Sequence, residues 1–155
     1  MRTPVSRDRV LLVGENNPYS DDGYFALYPK PEGASGYQLA VVILGMKPSE
    51  YLKTFDRVDL LYGRWSIPRA REVAQALTHP RRVLLGAKVA AAHGVDYDPF
   101  RVIGPCTGCY HCGYQQQKHM PEKLLVWPHP SRRNARMWTP EAIATARRQI
   151  VEFLR

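Results

Sequence analysis

Residues 9 to 14 read "RVLLVG", a short apolar run closed by glycine, which is the pattern of a strand buried on both faces. Similar runs return as "RVDLLY" (57 to 62), "RRVLLGA" (81 to 87) and "KLLVW" (123 to 127), so four strands are expected. Helical patterns alternate with them. "YQLAVVILGM" (37 to 46) is too long and continuous for a strand and reads as a buried helix. "SEYLKTF" (49 to 55) opens on a serine placed to cap a helix. "SIPRAREVAQALT" (66 to 78) sets Ile67, Ala70, Val73, Ala74 and Leu77 on one helical face. "KVAAAHG" (88 to 94) is a short helix closed by Gly94. The last helix has Thr139 as its cap, Pro140 in its first turn, and Ile143, Ala146, Ile150 and Phe153 on one face. Only the stretch from about 95 to 122 lacks a clear period.

Strands and helices that alternate over short connections predict one α/β domain spanning 1–155: a three-layer α/β/α sandwich around a four-stranded parallel sheet, with an insertion at about 101–122. The chain has 155 residues, enough for one real core. No apolar run approaches the roughly 20 residues needed to span a bilayer, and no signal-like segment precedes the first strand. The expectation is a cytoplasmic, monomeric protein without a membrane partner. Lys and Arg outnumber Asp and Glu by 22 to 14, a formal charge of +8 that suits a polyanion and by itself fixes no mechanism.

Parallel sheets bind ligands at the carboxyl ends of their strands. There the chain carries "ENNPYS" after the first strand, Asp59 and "YGRW" in and after the second, and "PHPSRRN" after the fourth. These segments are expected to converge on one crevice. A histidine held between two prolines, followed by two arginines, makes a stiff cationic loop with a titratable ring.

"VGENNPYSDDGYFALYP" and "WPHPSRRNARMW" resemble the two motif segments of the uracil-DNA glycosylase superfamily. "DRVDLL", "GRWSIPRAREVAQAL" and "RRVLLGAKVAAAHGVDYDPF" are similar to its middle strands and helices, so the likeness covers the chain outside 101–122. The resemblance implies a monofunctional DNA glycosylase that flips an aberrant or modified pyrimidine out of DNA and hydrolyses its bond to the sugar. It implies that Asn16 or Asn17 holds the water and that His129 supports the departing base. Phe25 (with Tyr28 as the rival ring) would stack on the base, with Tyr19 and Asp59 also lining its pocket. Ser131 would contact phosphate, and Arg132, Arg133 and Asn134 would enter the duplex. Two other classes stay open: a base-sensing DNA-binding module without turnover, and an enzyme acting on free nucleosides or nucleotides.

Cys106, Cys109 and Cys112 sit at two-residue gaps, with His119 or His111 as a fourth donor. They fit a structural zinc, an iron–sulfur cluster or plain thiols, and none of these is required for catalysis. Asp59 stands where similar members of the superfamily carry Asn. An ionised carboxylate only accepts hydrogen bonds, so it opposes the O4 of uracil and suits a cytosine-type edge that presents an amino group. The plainer reading pairs Asp59 with Arg57 or Arg64.

Overall fold

The computed structural model describes residues 9–17, 20–104 and 123–155. Within them β1 (Val10–Asn17), β2 (Phe55–Tyr62), β3 (Arg81–Leu85), β4 (Val102–Ile103) and β5 (Lys123–Trp127) form one sheet in the order β2-β1-β3-β5-β4. The four strands expected from the sequence are parallel to their neighbours, with Gly14 opposite Asp59 and Leu85 opposite Trp127. The sheet is nevertheless mixed, not a sheet of four parallel strands. β4 runs antiparallel along the outer edge of β5, pairing Val102 with Leu125 and Ile103 with Leu124. Two residues are too short to show an alternation, so this strand is held by its partner and carries no pattern of its own.

The helices are α1 (Ser35–Tyr37), which continues as a π-helical stretch (Gln38–Ile43), then α2 (Pro48–Thr54), α3 (Ile67–Ala76), α4 (Ala87–Ala92) and α5 (Pro140–Leu154). Thr139 caps α5 as expected, its hydroxyl accepting from the Ala142 N–H at 3.1 Å. Ser49 does not cap α2: the helix starts one residue earlier, at Pro48, and Lys47 takes the capping position. A proline at the first helical position explains the shift, since its fixed φ already suits the helix and it has no N–H to satisfy. Gly94 closes α4 at φ +71°, a conformation other residues adopt only with strain.

Alternation along the strands divides the core between the two faces of the sheet. Val10, Leu12, Val83, Leu85, Leu125 and Trp127 pack with Leu39, Ala40 and Ile43 of the π-helical stretch, Tyr51 of α2, and Ala146, Ile150 and Phe153 of α5. Leu11, Val13, Leu84, Leu124 and Val126 pack with Ala70 and Ala74 of α3 and with Val89, Ala90 and Ala92 of α4. Helices cover both faces, as strands that are apolar on every side require. Among the described residues no helix is long and apolar enough to cross a membrane.

The strand order places the crevice. From β1 the chain moves to β2 on one side and then returns to β3 on the other, so the crossovers diverge between β1 and β3. In an open α/β sheet the carboxyl edge at such a point is where a ligand fits.

Candidate active site at the carboxyl edge of the sheet

The β1 and β2 ends are tied together by Asn16, whose Nδ2 donates to the Gly63 carbonyl. That bond fixes the amide and leaves its Oδ1 buried without a partner among the described residues. The Asn17 Oδ1 accepts from the Ser20 N–H at 3.2 Å, a local turn of the kind that asparagine before proline often makes. The two candidates for holding water are therefore unequal. Asn16 holds an oriented but buried acceptor that no described residue meets, while the Asn17 oxygen is engaged in the loop.

Asp59 lies beside Gly14 of β1 and is only 5% exposed. A Cβ on Gly14 would collide with Asp59 Oδ1 and crowd Leu27 at 3.2 Å, so glycine is needed there for the carboxyl to sit where it does. Burial pushes the Asp59 pKa from 3.8 up to about 6, with Arg57 opposing the rise and Glu15 adding to it. The ion pair of the plainer reading, with Arg57 or Arg64, is not made among the described residues. The Arg57 Nη1 donates instead to the Ala26 carbonyl at 2.8 Å, and its guanidinium lies 5.7 Å from the ring centroids of both Tyr24 and Tyr28.

The turn that carries those aromatic residues is held from several sides. Leu27 adopts φ +49°, unusual for a residue with a side chain. The Tyr51 hydroxyl donates to the Leu27 carbonyl at 2.9 Å, and Gly36 packs so closely on the Leu27 and Tyr28 carbonyls that a Cβ would collide with both. Together with Arg57 on Ala26, these contacts hold Tyr24, Phe25 and Tyr28 as a cluster with centroids 5.2 to 5.5 Å apart. Phe25 is 45% exposed and Tyr24 57%, large aromatic surfaces left uncovered beside the crevice.

On the other flank, β5 ends at Trp127 and delivers Pro128, His129 and Pro130. His129 packs against Gly86, the first residue beyond β3, where a Cβ would sit 3.3 Å from its own Cβ. The Ser131 N–H lies 3.2 Å from the His129 Nδ1. An N–H pointed at Nδ1 makes that nitrogen the acceptor, so the ring proton of the neutral imidazole resides on Nε2. Burial lowers the His129 pKa below its usual 6.5 against a smaller opposing pull from Glu15, which favours that neutral form. The His129 carbonyl accepts from both Asn134 Nδ2 (3.1 Å) and Trp138 Nε1 (3.2 Å). Trp138 is wedged edge-on against Trp127 and Phe100. The Asn134 side chain thus braces the loop from within. The Arg132 guanidinium lies against Gly33, and Arg133 is exposed. Ser131 is half-buried.

Comparison with protein-family models, curated proteins and solved structures finds no match. The geometry is accordingly the basis for any functional reading.

Two residues not singled out from the sequence stand in this crevice. Glu15, just before Asn16, pairs with Lys88 of α4 at 3.2 Å, bridging the ends of β1 and β3, and Lys88 also sits 5.6 Å from the centroid of the Trp65 ring. Glu15 acts electrostatically on both Asp59 and His129, and so lies between the two flanks. The signal for it was present: Glu15 follows the strand-closing Gly14, the position from which parallel sheets present ligand contacts. Tyr19, Cys106, Cys109, Cys112, His111 and His119 lie outside the described residues.

Proposed function

We propose that this chain is a monofunctional DNA glycosylase with a fold of the uracil-DNA glycosylase type, hydrolysing the bond between an aberrant or modified pyrimidine and its deoxyribose. The observation that carries the reading is the His129 imidazole, held neutral with its proton on Nε2 by the Ser131 N–H and braced through its carbonyl by Asn134 and Trp138. A preorganised neutral donor is what a departing anionic base needs.

In this reading the bond between C1′ and the base nitrogen breaks first, and its electron pair leaves with the base. The His129 Nε2–H donates to the oxygen on which that charge collects. Water then adds to the oxocarbenium-like sugar, as in other glycoside hydrolysis. The amide of Asn16 or Asn17 at the end of β1 accepts from that water and directs the water's lone pair at C1′; the water's proton passes to solvent. An amide suffices because the carbon is already cationic. In the same reading Phe25 stacks on the flipped base, and Arg133 and the Ser131 hydroxyl meet backbone phosphate.

The exposed Tyr24 and Phe25 surfaces favour a base carried on a polymer over a free nucleoside, because small-molecule sites generally enclose most of their ligand. The test is incubation with single- and double-stranded oligonucleotides bearing a panel of modified pyrimidines, followed by strand cleavage at abasic sites. Release of a base from one or more of them is expected. Tight binding of a base-modified oligonucleotide without abasic product would mark a reader without turnover. Release only from free nucleosides would mark the nucleoside-handling alternative.

A further inference from the structure

Asp59 is only 5% exposed at the crevice, and its carboxyl receives no hydrogen bond from the described residues. A desolvated carboxylate without a donor is unfavourable, and proteins rarely keep one without a use. Among the described residues the nearest cation does not supply a donor. Arg57, two residues earlier on the same strand, turns its guanidinium to the Ala26 carbonyl and the rings of Tyr24 and Tyr28. Gly14 and Leu27 then hold the carboxyl in place, the glycine by lacking a side chain and the leucine by packing beside it. A ligand that carries a donor would meet the carboxyl here, and the aromatic surfaces of Tyr24 and Phe25 nearby suit a flat one.

We infer that Asp59 is the specificity-determining residue of this site and selects a base presenting an exocyclic amino group, that is a cytosine-type edge, over the carbonyl edge of uracil. The inference deepens the glycosylase reading and rests on it for the identity of the ligand as a base. At the exocyclic position an ionised carboxylate accepts from the amino group of a cytosine-type base, whereas uracil places the O4 lone pairs there and can donate only through its N3–H. One buried acceptor set against another weakens binding by roughly tenfold or more. The groups acting electrostatically on Asp59 are Arg57 and Tyr62 of its own strand, Glu15 of β1 and Tyr51 of α2. With its pKa raised to about 6, Asp59 is a pure acceptor at pH 8. At pH 5 it is a neutral acid that donates and accepts at once, and so tolerates either edge.

The deciding experiment titrates the wild-type protein and Asp59→Asn with free cytosine and free uracil, followed by ligand-detected NMR at pH 8 and pH 5. At pH 8 the wild type is expected to hold cytosine at least tenfold more tightly than uracil. The gap should close at pH 5, and Asp59→Asn should erase it at both. Equal binding of the two bases at pH 8, a gap unchanged by Asp59→Asn, or no binding of either base overturns the inference. In parallel, base release is measured from duplexes carrying uracil or a 5-substituted cytosine. Release that favours uracil at pH 8 overturns the inference while leaving the glycosylase standing. A cytosine preference in the titration with no base released supports Asp59 as the selector and removes the glycosylase.

Discussion

The two ends of the four parallel strands treat their charged groups in opposite ways. At the amino end Asp56 accepts from His79 at 2.7 Å and has the Arg9 Nε at 3.4 Å, while Arg9 also donates to the Leu52 and Phe55 carbonyls. Arg82 is 3% exposed and donates to the carbonyls of Ala74, Leu77 and His79, closing the end of α3 onto β3. At the carboxyl end of the same β2, three residues on, the buried Asp59 receives no hydrogen bond from the described residues, and Asn16 of β1 keeps an oxygen that none of them meets. One end uses its polar groups to hold the fold. The other holds polar groups ready and leaves them unsatisfied, which lowers stability where ligand chemistry would recover it.

The sharpest way to break this comparison is at Arg82. Arg82→Ala would strip donors from three buried carbonyls and is expected to lower the unfolding free energy by about 3–5 kcal/mol. Chemical denaturation checks it. Base release at a temperature where the variant is still folded should keep its rate, because Arg82 belongs to the opposite end of the sheet. A stable Arg82→Ala with impaired turnover would mean that the two ends are not separate.

His129→Ala is the counterpart at the carboxyl end. Base release from a confirmed substrate should fall by on the order of 10²-fold, the usual scale for one preorganised donor, with little change in DNA affinity. Full activity in the variant would remove the imidazole from the mechanism.

Much of this contrast can be traced in the sequence, and the untraceable part has physical causes. Apolar runs ending at Gly14, Tyr62, Leu85 and Trp127 mark the strands, because a strand buried on both faces can hold little else. The cationic loop around His129 is legible because prolines flank it. The edge strand Val102–Ile103 was not legible, since two residues have no period. Nor does adjacency show that the Asn16 amide is tied to the carbonyl of Gly63, a residue 47 places along the chain. Nor does its place after two arginines show that the Asn134 amide turns back to the His129 carbonyl. Local sequence shows which residues reach the crevice. It does not show which are already occupied.

A smaller effect, with a definite sign, is expected from Asp59→Asn on stability. The carboxyl has a folded pKa of about 6 against an ordinary 3.8, so the folded state holds its proton more tightly than the unfolded chain does. A group raised in this way contributes stability below about pH 4 and loses it as pH climbs through 6. At pH 8 the ionised carboxylate therefore costs the fold up to roughly 3 kcal/mol. Replacing it with a neutral amide should stabilise the protein by about 2 kcal/mol at pH 8, and the gain should vanish near pH 4. Thermal unfolding across that range provides the check. A variant less stable than the wild type at pH 8 would mean that the carboxylate is satisfied after all, and the contrast with Asp56 would fail.

The mildest expected effect concerns which end of the sheet meets the phosphates. Arg133 is exposed on the loop after β5, whereas the Arg132 guanidinium already rests against Gly33. Each cation that neutralises one duplex phosphate adds about 0.9 to the slope of log affinity against log salt. Arg133→Ala should therefore flatten that slope by about one, with the loss shared across all sequences because phosphate contacts carry no base information. Lys123 offers the control. It is equally exposed but begins β5 at the amino end of the sheet, so Lys123→Ala should leave the slope unchanged. Salt titrations of duplex binding for the two variants separate a directed interface from a diffuse one. If both lose the same slope, the +8 charge attracts DNA over the whole surface and the loop after β5 has no special part in binding.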